Sequence, residues 1–176
     1  MWVFGYGSLL WNPGFAPAET QVARLDGYAR SFCMRSIHHR GTEADPGLVL
    51  ALDVAAGAAC SGLALRVAPG EEGGVLSYLR ERELISSAYY EDEVPLSLAD
   101  GRQVQALAYI INRDHAQYCG GLPLEEQAQI IAAAVGGRGP NTEYLYNTEA
   151  HLREIGLEDA DLRWLRTRVE ALTKAS

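Results

Sequence analysis

The chain has 176 residues, the size of one ordinary domain, and we predict a single domain over residues 1–176. Apolar residues make up 48% and charged residues 22%, proportions typical of a folded globular protein, so a disordered chain is excluded. The net charge of −8 argues against sequence-independent nucleic-acid binding, which needs clustered Lys and Arg.

The acidic excess falls entirely in residues 67–176, because residues 1–66 balance five Arg against five acidic side chains. The first third of the chain is therefore better suited than the rest to bind a small anionic ligand. The apolar start at Trp2–Phe4 is interrupted by Gly5 and follows no basic segment, so the sequence predicts no signal peptide. No apolar run approaches the roughly 18 residues of a membrane span. We expect a soluble, cytoplasmic protein with no membrane or nucleic-acid partner.

Hydrophobic patterning predicts strands early in the chain and helices near its end. The predicted strands are Trp2–Phe4, Arg24–Met34, Leu48–Leu52, Gly62–Val67 and Val104–Ile111. The predicted helices are Glu71–Leu84, Leu124–Val135, Thr142–Ile155 and Asp159–Lys174. This order is typical of an α+β fold rather than of an alternating, doubly wound sheet.

The segment Gly5-Tyr6-Gly7-Ser8 directly follows the first predicted strand. Two glycines around a tyrosine let the backbone turn with positive φ and come close to a ligand. Successive N–H groups in such a turn form a nest that holds a carboxylate or a developing oxyanion. The other interpretation is a tight turn in which the glycines only permit a bend, and the spacing alone leaves both open.

Glu83 lies on the apolar stripe of the predicted helix Glu71–Leu84. At 100° per residue, with Val75 as the origin, Leu79 falls at about 40° and Glu83 at about 80°. On the same count Glu81, at about 240°, faces solvent. A buried carboxylate acquires a raised pKa, which suits a general acid or base that works near neutrality.

The alternative for Glu83 is a structural one. A carboxylate near the end of a helix is often partly buried and paired with a neighbouring arginine, here Arg80 or Arg82.

The sequence offers no clear metal site or covalent nucleophile. The cysteines at 33, 60 and 119 match neither a zinc pattern nor a disulfide framework, so we interpret them as three buried thiols. Adjacent His38 and His39 point in different directions from an extended chain and make a poor metal pair. The first serine lies in GYGSL rather than GxSxG, which does not support a serine-hydrolase elbow. We expect neither a metal nor a cofactor.

The stretch Gly136–Gly139 leads into the predicted helix that carries Tyr144. It lacks the Lys-Ser/Thr of a P-loop, so binding of a nucleoside triphosphate is not predicted. Asn141 is a natural N-cap for this helix. The stretch either places Tyr144 at the rim of a pocket or serves only as the start of a well-capped helix.

Seven segments carry a resemblance to a known family. They are Trp2–Leu9, Trp11-Asn12, Arg24-Leu25-x-Gly27-Tyr28, His39–Thr42, Pro46–Leu50, Tyr78-Leu79-x-x-Arg82-Glu83 and Gly139-x-Asn141-Thr142-Glu143-Tyr144-Leu145. Together, and in this order over nearly the whole chain, they resemble the ChaC-type, glutathione-specific γ-glutamylcyclotransferases. One departure follows Glu83: many members have a Gly-Gly-Tyr-like loop there, and this chain reads Leu84-Ile85-Ser86-Ser87-Ala88-Tyr89-Tyr90.

The resemblance implies an α+β fold of the γ-glutamylcyclotransferase type, a small mixed β-barrel with helices around it. It implies that the small-molecule substrate is glutathione, cleaved to 5-oxoproline and cysteinylglycine without a metal or cofactor. The family's catalytic glutamate corresponds to Glu83. Its substrate-binding loop corresponds to Val3, Phe4, Gly5, Tyr6, Gly7, Ser8 and Leu9. Arg40 and Tyr144 are candidates for holding the glycine carboxylate of glutathione, and Tyr89 or Tyr90 replaces the family's tyrosine.

Two other functions stay open at this point. A cyclotransferase of the same fold could act on other γ-glutamyl compounds, and a binding module could use the N-terminal segment without turnover. The residues do not fix the oligomeric state.

Overall fold

Five strands close into a barrel in the computed structural model, which describes residues 1–84 and 86–175. The strands are β1 (Trp2–Gly5), β2 (Glu19–Ser36), β3 (Gly47–Arg66), β4 (Tyr89–Leu98) and β5 (Gln103–Ile111). They follow one another in the order β1-β3-β2-β4-β5, and β3 also pairs with β5. The pairs β1–β3, β2–β4 and β4–β5 are antiparallel, whereas β1–β5 and β3–β5 are parallel. The predicted α+β fold with a small mixed barrel is confirmed.

Four helices accompany these strands in the described chain. They are α1 (Glu72–Glu83), α2 (Leu124–Ala133), α3 (Asn141–Glu154) and α4 (Ala160–Lys174). A short 3₁₀ helix, Ser8–Leu10, follows β1, and the two-residue strands β6 (Val135–Gly136) and β7 (Gly139–Pro140) pair with each other. All four predicted helices are present.

The chain divides into two compact units. The first unit contains Met1–Arg30 and Ala51–Ala116, and so holds β1, α1, β4 and β5. The second unit contains Ser31–Leu50 and Gln117–Ser176, and so holds α2, α3 and α4.

The core of the first unit lies inside the barrel and follows the period-two rule of β-strands. Alternate residues of β4 and β5 are buried there: Val94, Leu96, Leu98, Ala106, Ala108 and Ile110. Phe4 and Tyr6 join the same cluster from the N-terminal end of the chain. The first strand therefore contributes to the core and then leads directly into the segment that carries Tyr6.

The second unit is held together by the apolar faces of its helices. Leu162, Leu165 and Val169 are buried along one face of α4, at the spacing that the sequence predicts. The Asp159 side chain caps α4 by accepting a hydrogen bond from the Leu162 amide at 3.1 Å. The predicted cap at Asn141 is wrong: Asn141 is the first residue of α3, and its side chain bonds elsewhere.

The strand β4 was not predicted, because three acidic residues and Pro95 obscure its pattern. Proline lacks an N–H and is tolerated only where no ladder partner needs one. Pro95 lies opposite Gln105 of β5, whereas β4 pairs with β2 through Ser97 and Leu98. Within residues 1–84 and 86–175, the proline therefore lies outside the pairing of β4 with β2.

The long strand β3 replaces two short predicted ones. The intervening stretch Asp53–Ala59 is rich in alanine and glycine and has no strand pattern of its own. It is extended because β3 has hydrogen-bonded neighbours on both sides in the closed barrel. The predicted end of α2 at Val135 is also two residues late, since Val135 belongs to β6.

Candidate active site

The N-terminal loop, residues 5–9, begins where β1 ends. Val3 and Phe4 are fully buried, so their side chains serve the barrel core. Tyr6 is also buried, and its hydroxyl donates to the Tyr109 carbonyl oxygen at 2.6 Å. Of the predicted substrate-binding residues, Ser8 alone keeps a half-buried rather than a buried side chain. What this loop can offer a ligand is therefore its backbone and the Ser8 hydroxyl.

The predicted positive φ at Gly5 and Gly7 is wrong. Gly7 has φ −135°, and neither glycine is among the described residues with positive φ. The need for small residues is steric instead. A Cβ at Gly5 would lie 3.3 Å from Leu9 Cβ, and a Cβ at Gly62 would lie 2.3 Å from the Gly5 carbonyl oxygen. The chain thus needs glycines here because β3 and the 3₁₀ helix approach the loop closely.

Glu83 is the last residue of α1, and its position on the helix agrees with the prediction. Its side chain is 15% exposed, whereas Glu81, two residues earlier, is exposed. Val75 and Leu79, on the same stripe, are buried. The carboxylate of Glu83 therefore lies largely covered at the end of the helix.

Arg82 connects α1 with the N-terminal loop. Its Nη2 donates to Ser8 Oγ at 2.8 Å, and its Nη1 donates to the Asn12 carbonyl oxygen. Its Nε lies 3.3 Å from Glu83 Oε1, and the arginine side chain is only 11% exposed. The pairing of Glu83 with a neighbouring arginine is thus observed, and the same arginine brings Glu83 and the N-terminal loop together.

A second arginine of α1, Arg80, reaches the barrel instead. It donates to Glu91 of β4 twice, from Nε to Oε1 at 3.2 Å and from Nη2 to Oε2 at 2.9 Å. Glu91 Oε1 also accepts from the Tyr109 hydroxyl at 3.0 Å. The Arg80 guanidinium holds the pKa of Glu91 below its ordinary value. Sequence reasoning missed Glu91 and Tyr109, because β4 itself was missed and neither residue belongs to a motif.

The pKa of the Tyr109 phenol depends on the groups that surround it. Burial raises the pKa of its phenol, and the hydrogen bond to Glu91 and the negative charges of Glu91 and Glu83 raise it further. The Glu83 carboxylate is therefore close enough to Tyr109 to act on it.

Tyr89 and Tyr90 lie on opposite faces of β4, because successive residues of a strand alternate. Tyr89 is half-buried and shares its face with Glu91. Tyr90 is 44% exposed and lies opposite Ile110 of β5. Ile85, in the segment that departs from the family's pattern, lies outside the described residues. Of the two tyrosines, Tyr89 is on the face that meets Arg80.

Arg40 and Tyr144 lie together in the second unit. Both are buried, and the Arg40 guanidinium stands 5.9 Å from the centre of the Tyr144 ring. Arg40 Nη1 donates to the Pro140 carbonyl oxygen at 3.1 Å and lies 3.6 Å from Glu143 Oε1. The Tyr144 hydroxyl accepts a hydrogen bond from the Leu50 amide at 3.1 Å. Each side chain thus has a structural partner in this unit, and their contact with substrate stays a prediction.

The glycine stretch before α3 packs against the segment that carries Arg40. The amides of Gly137 and Arg138 donate to the carbonyl oxygens of His38 and His39 at 2.7 Å and 2.9 Å. A Cβ at Gly136 would lie 2.4 Å from the Gly41 nitrogen, so only glycine allows this approach. Asn141, fully buried, bonds both the amide and the carbonyl of Leu48 at 2.8 Å. These contacts tie the start of α3 to its neighbours, although no side chain caps the helix.

Within residues 1–84 and 86–175, no group of three or more His, Cys, Asp or Glu side chains has the arrangement of a metal site. Cys33 and Cys60 are buried, whereas Cys119 is only half-buried, so the prediction of three buried thiols fails at Cys119. Burial raises the pKa of the Cys119 thiol, which disfavours the reactive thiolate.

Among the described residues, a search for helices with the length and hydropathy of a membrane span finds none.

Comparisons with known proteins identify the family. The ChaC-like protein family matches residues 1–172. The chain is 37% identical over 172 residues to the glutathione-specific γ-glutamylcyclotransferase of Escherichia coli, covering 98% of this chain and 74% of that protein. It is 33% identical to human glutathione-specific γ-glutamylcyclotransferase 1, covering 92% of this chain and 73% of that protein.

Among solved structures, the chain is similar to the γ-glutamylcyclotransferase specific to glutathione from yeast. The TM-score is 0.90 at 25% sequence identity, and the match covers 100% of this chain and 98% of that chain. Fold, length and motifs thus agree with the sequence matches. The chain belongs to the ChaC-like family of γ-glutamylcyclotransferases.

Proposed function

We propose that the protein cleaves glutathione by cyclising its γ-glutamyl group, which releases 5-oxoproline and cysteinylglycine. One observation carries the proposal: a largely covered glutamate, Glu83, is tied through Arg82 to Ser8 of the N-terminal loop. The named relatives of the chain are enzymes specific to glutathione.

The chemistry needs little more than a folded substrate and a proton carrier. The α-amine of the γ-glutamyl group attacks its own side-chain carbonyl carbon and closes a five-membered ring. The C–N bond to the cysteine nitrogen then breaks. Because the attack is intramolecular, holding the substrate in the reactive conformation removes much of the barrier.

Glu83 is the base and acid in this scheme. It takes a proton from the α-ammonium group, which frees the amine to attack, and delivers it to the cysteine nitrogen as the C–N bond breaks. The ring nitrogen then loses a second proton, which passes through Glu83 to the released amine of cysteinylglycine. No covalent intermediate with the protein is needed, and no metal or cofactor enters any step. A carboxyl group that transfers protons in this way must be largely covered and yet accessible to the substrate. The 15% exposure of the Glu83 side chain meets both conditions.

The N-terminal loop supplies hydrogen-bond donors in the same scheme. Amides between Gly5 and Leu9 hold the γ-glutamyl end of the substrate or the oxyanion that forms on its carbonyl. We expect the protein in the cytoplasm, where glutathione keeps thiols reduced.

The test of substrate class is a comparison under identical conditions. The protein should release 5-oxoproline from glutathione much faster than from γ-glutamyl-alanine. Faster release from γ-glutamyl-alanine would assign it to other γ-glutamyl compounds, and binding of glutathione without any 5-oxoproline would make it a binding module.

A further inference from the structure

Arg80, Glu91 and Tyr109 form a hydrogen-bonded chain that ties the last turn of α1 to two strands of the barrel. Arg80 makes a bidentate contact with the Glu91 carboxylate, which also accepts a hydrogen bond from the Tyr109 hydroxyl. Two-pronged Arg–carboxylate pairs fix orientation as well as charge. Glu91 and Tyr109 are register partners in the β4–β5 pair, so the contact is built on the rigid part of the unit.

The chain of contacts continues to the N-terminal loop. The Tyr109 carbonyl oxygen accepts from the Tyr6 hydroxyl at 2.6 Å. Tyr6 lies in the same loop as Ser8, whose hydroxyl accepts from Arg82. The helix end and the loop are thus joined twice, once directly through Arg82 and once through the barrel.

This double connection restrains the end of α1, which is where Glu83 lies. Glu83 is the last residue of α1, and terminal turns of helices fray unless something ties them down. Arg80 precedes Glu83 by three residues and so neighbours it on the helix surface. Tying Arg80 to the barrel therefore restrains the turn that carries Glu83.

We propose that Arg80 and Glu91 form a positioning pair, which holds Glu83 where it can transfer protons between the two nitrogens of the substrate. This inference rests on the proposed function, in which Glu83 is the proton carrier. Arg80 and Glu91 touch neither the substrate nor the reacting atoms in this scheme. Their effect passes through the backbone of α1 and through the electrostatic field at Glu83.

The electrostatic effect of the pair on Glu83 gives it a kinetic signature that a merely structural tie lacks. Arg82 lies beside Glu83 on α1, and Arg80, one turn earlier, holds Glu91 of β4. The charge of Glu83 also acts on Tyr109 of β5. Without Arg80, the charge of Glu91 stands uncompensated and disfavours the ionised form of Glu83. Without Glu91, Arg80 stands uncompensated and favours it.

The test is steady-state kinetics with glutathione across pH for Arg80→Gln and Glu91→Gln. Each variant should lower kcat about tenfold with KM within about twofold, because misplacing the base impairs turnover more than binding. The acid limb of kcat should move to higher pH in Arg80→Gln and to lower pH in Glu91→Gln, by about half a pH unit each. Arg80 is 52% exposed on the helix, so its replacement should leave the protein folded.

Arg80→Lys separates charge from geometry. Lysine keeps the positive charge but cannot make the two-pronged contact. Its acid limb should stay where the wild type has it, and its kcat should lie between those of the wild type and Arg80→Gln. The matched control is Arg24→Gln, which removes an exposed arginine from an exposed ion pair with Asp26 and should leave the kinetics unchanged.

An unchanged kcat, or acid limbs that move in the same direction in Arg80→Gln and Glu91→Gln, would overturn the inference. So would variants that lower the melting temperature and leave kcat and its pH profile intact, since the pair would then be a structural tie only. A wild-type protein that does not turn over glutathione overturns the proposed function and this inference together. An active wild type whose variants keep the wild-type kcat and acid limb overturns the inference alone.

Discussion

Arg82 Nη2 donates a hydrogen bond to Ser8 Oγ at 2.8 Å, although the two residues are 74 positions apart in sequence. The same guanidinium lies 3.3 Å from the Glu83 carboxylate through its Nε. One arginine thus fixes the distance between the covered carboxylate and the N-terminal loop. The proposed reaction depends on that distance, because the loop holds the γ-glutamyl group whose α-ammonium Glu83 deprotonates.

Replacing Glu83 with glutamine should lower kcat about 10²–10⁴-fold, because glutamine keeps the shape and loses the proton carrier. The melting temperature should change little. The acid limb of the pH profile should be absent from the residual activity. Steady-state assays on glutathione and thermal unfolding measure both properties.

The matched control is Glu81→Gln, two residues earlier on the exposed face of α1. It should leave kcat within about twofold of the wild type, since an exposed surface charge affects little. Equal losses in the two variants would show that the position of Glu83 on the helix is irrelevant to turnover. An acid limb that persists in Glu83→Gln would assign the base to another group, His39 first.

Arg82→Gln should lower kcat/KM about 10- to 100-fold, because it removes the contacts to Ser8, to Asn12 and to Glu83 together. Ser8→Ala removes only the first of these, so its loss should be smaller, about threefold. A Ser8→Ala protein as impaired as Arg82→Gln would mean that the hydroxyl itself contacts the substrate.

Gly62→Ala should destabilise the protein by about 1–3 kcal/mol, because overpacking a close contact forces the backbone to shift. The added methyl group would lie 2.3 Å from the Gly5 carbonyl oxygen. Since Gly5 begins the N-terminal loop, KM for glutathione should also rise. Thermal unfolding and steady-state kinetics measure the two effects.

Gly73→Ala is the matched comparison for Gly62→Ala. It lies within α1 with no atom near the new methyl group, and alanine is the better helix former by about 1 kcal/mol. It should keep or raise the melting temperature. A Gly62→Ala protein as stable as Gly73→Ala would show that β3 can move away from Gly5 at no cost.

The pair of Glu125 and Arg168 should make stability depend on pH in the second unit. Arg168 contacts both carboxylate oxygens, at 2.7 Å and 2.8 Å, and its hydrogen bonds lower the pKa of Glu125 from 4.5 to about 2. A depressed pKa stabilises the fold above the unfolded value, and this contribution is lost as pH falls toward the folded value.

Arg168→Gln should therefore melt below the wild type at pH 7, and the difference should shrink as the pH falls from 4.5 toward 2. The pair is exposed, so the difference should be small. Melting temperatures at several pH values measure it. A difference that stays constant over this range would show that Arg168 stabilises α4 by packing rather than by charge.

The face of α1 that carries Glu83 could be predicted from the sequence, because helical periodicity is a local property. Leu79 is buried and Glu81 exposed, as 100° per residue requires. The backbone conformation at Gly5 and Gly7 could not be predicted from the neighbouring sequence. Gly5 is crowded by Leu9 and by β3, and the sequence does not show which strand approaches.

The contacts of Arg80 and Arg82 were beyond prediction for the same reason. Arg80 was named as a possible partner of Glu83, yet it binds Glu91, whose strand carries a proline and no clear alternation. Arg82 reaches Ser8 because the fold of the barrel brings these two residues together, although they are 74 positions apart in sequence. Long-range closure of this kind depends on the whole sheet rather than on any motif.

The most direct test is to incubate the purified protein with glutathione and a chelator and to quantify every product by mass spectrometry. We expect equal amounts of 5-oxoproline and cysteinylglycine, and no products from N-acetyl-glutathione, whose amine cannot attack. Release of free glutamate instead of 5-oxoproline would contradict this expectation, because water rather than the substrate's own amine would then be the nucleophile. Glutathione left intact would contradict it as well.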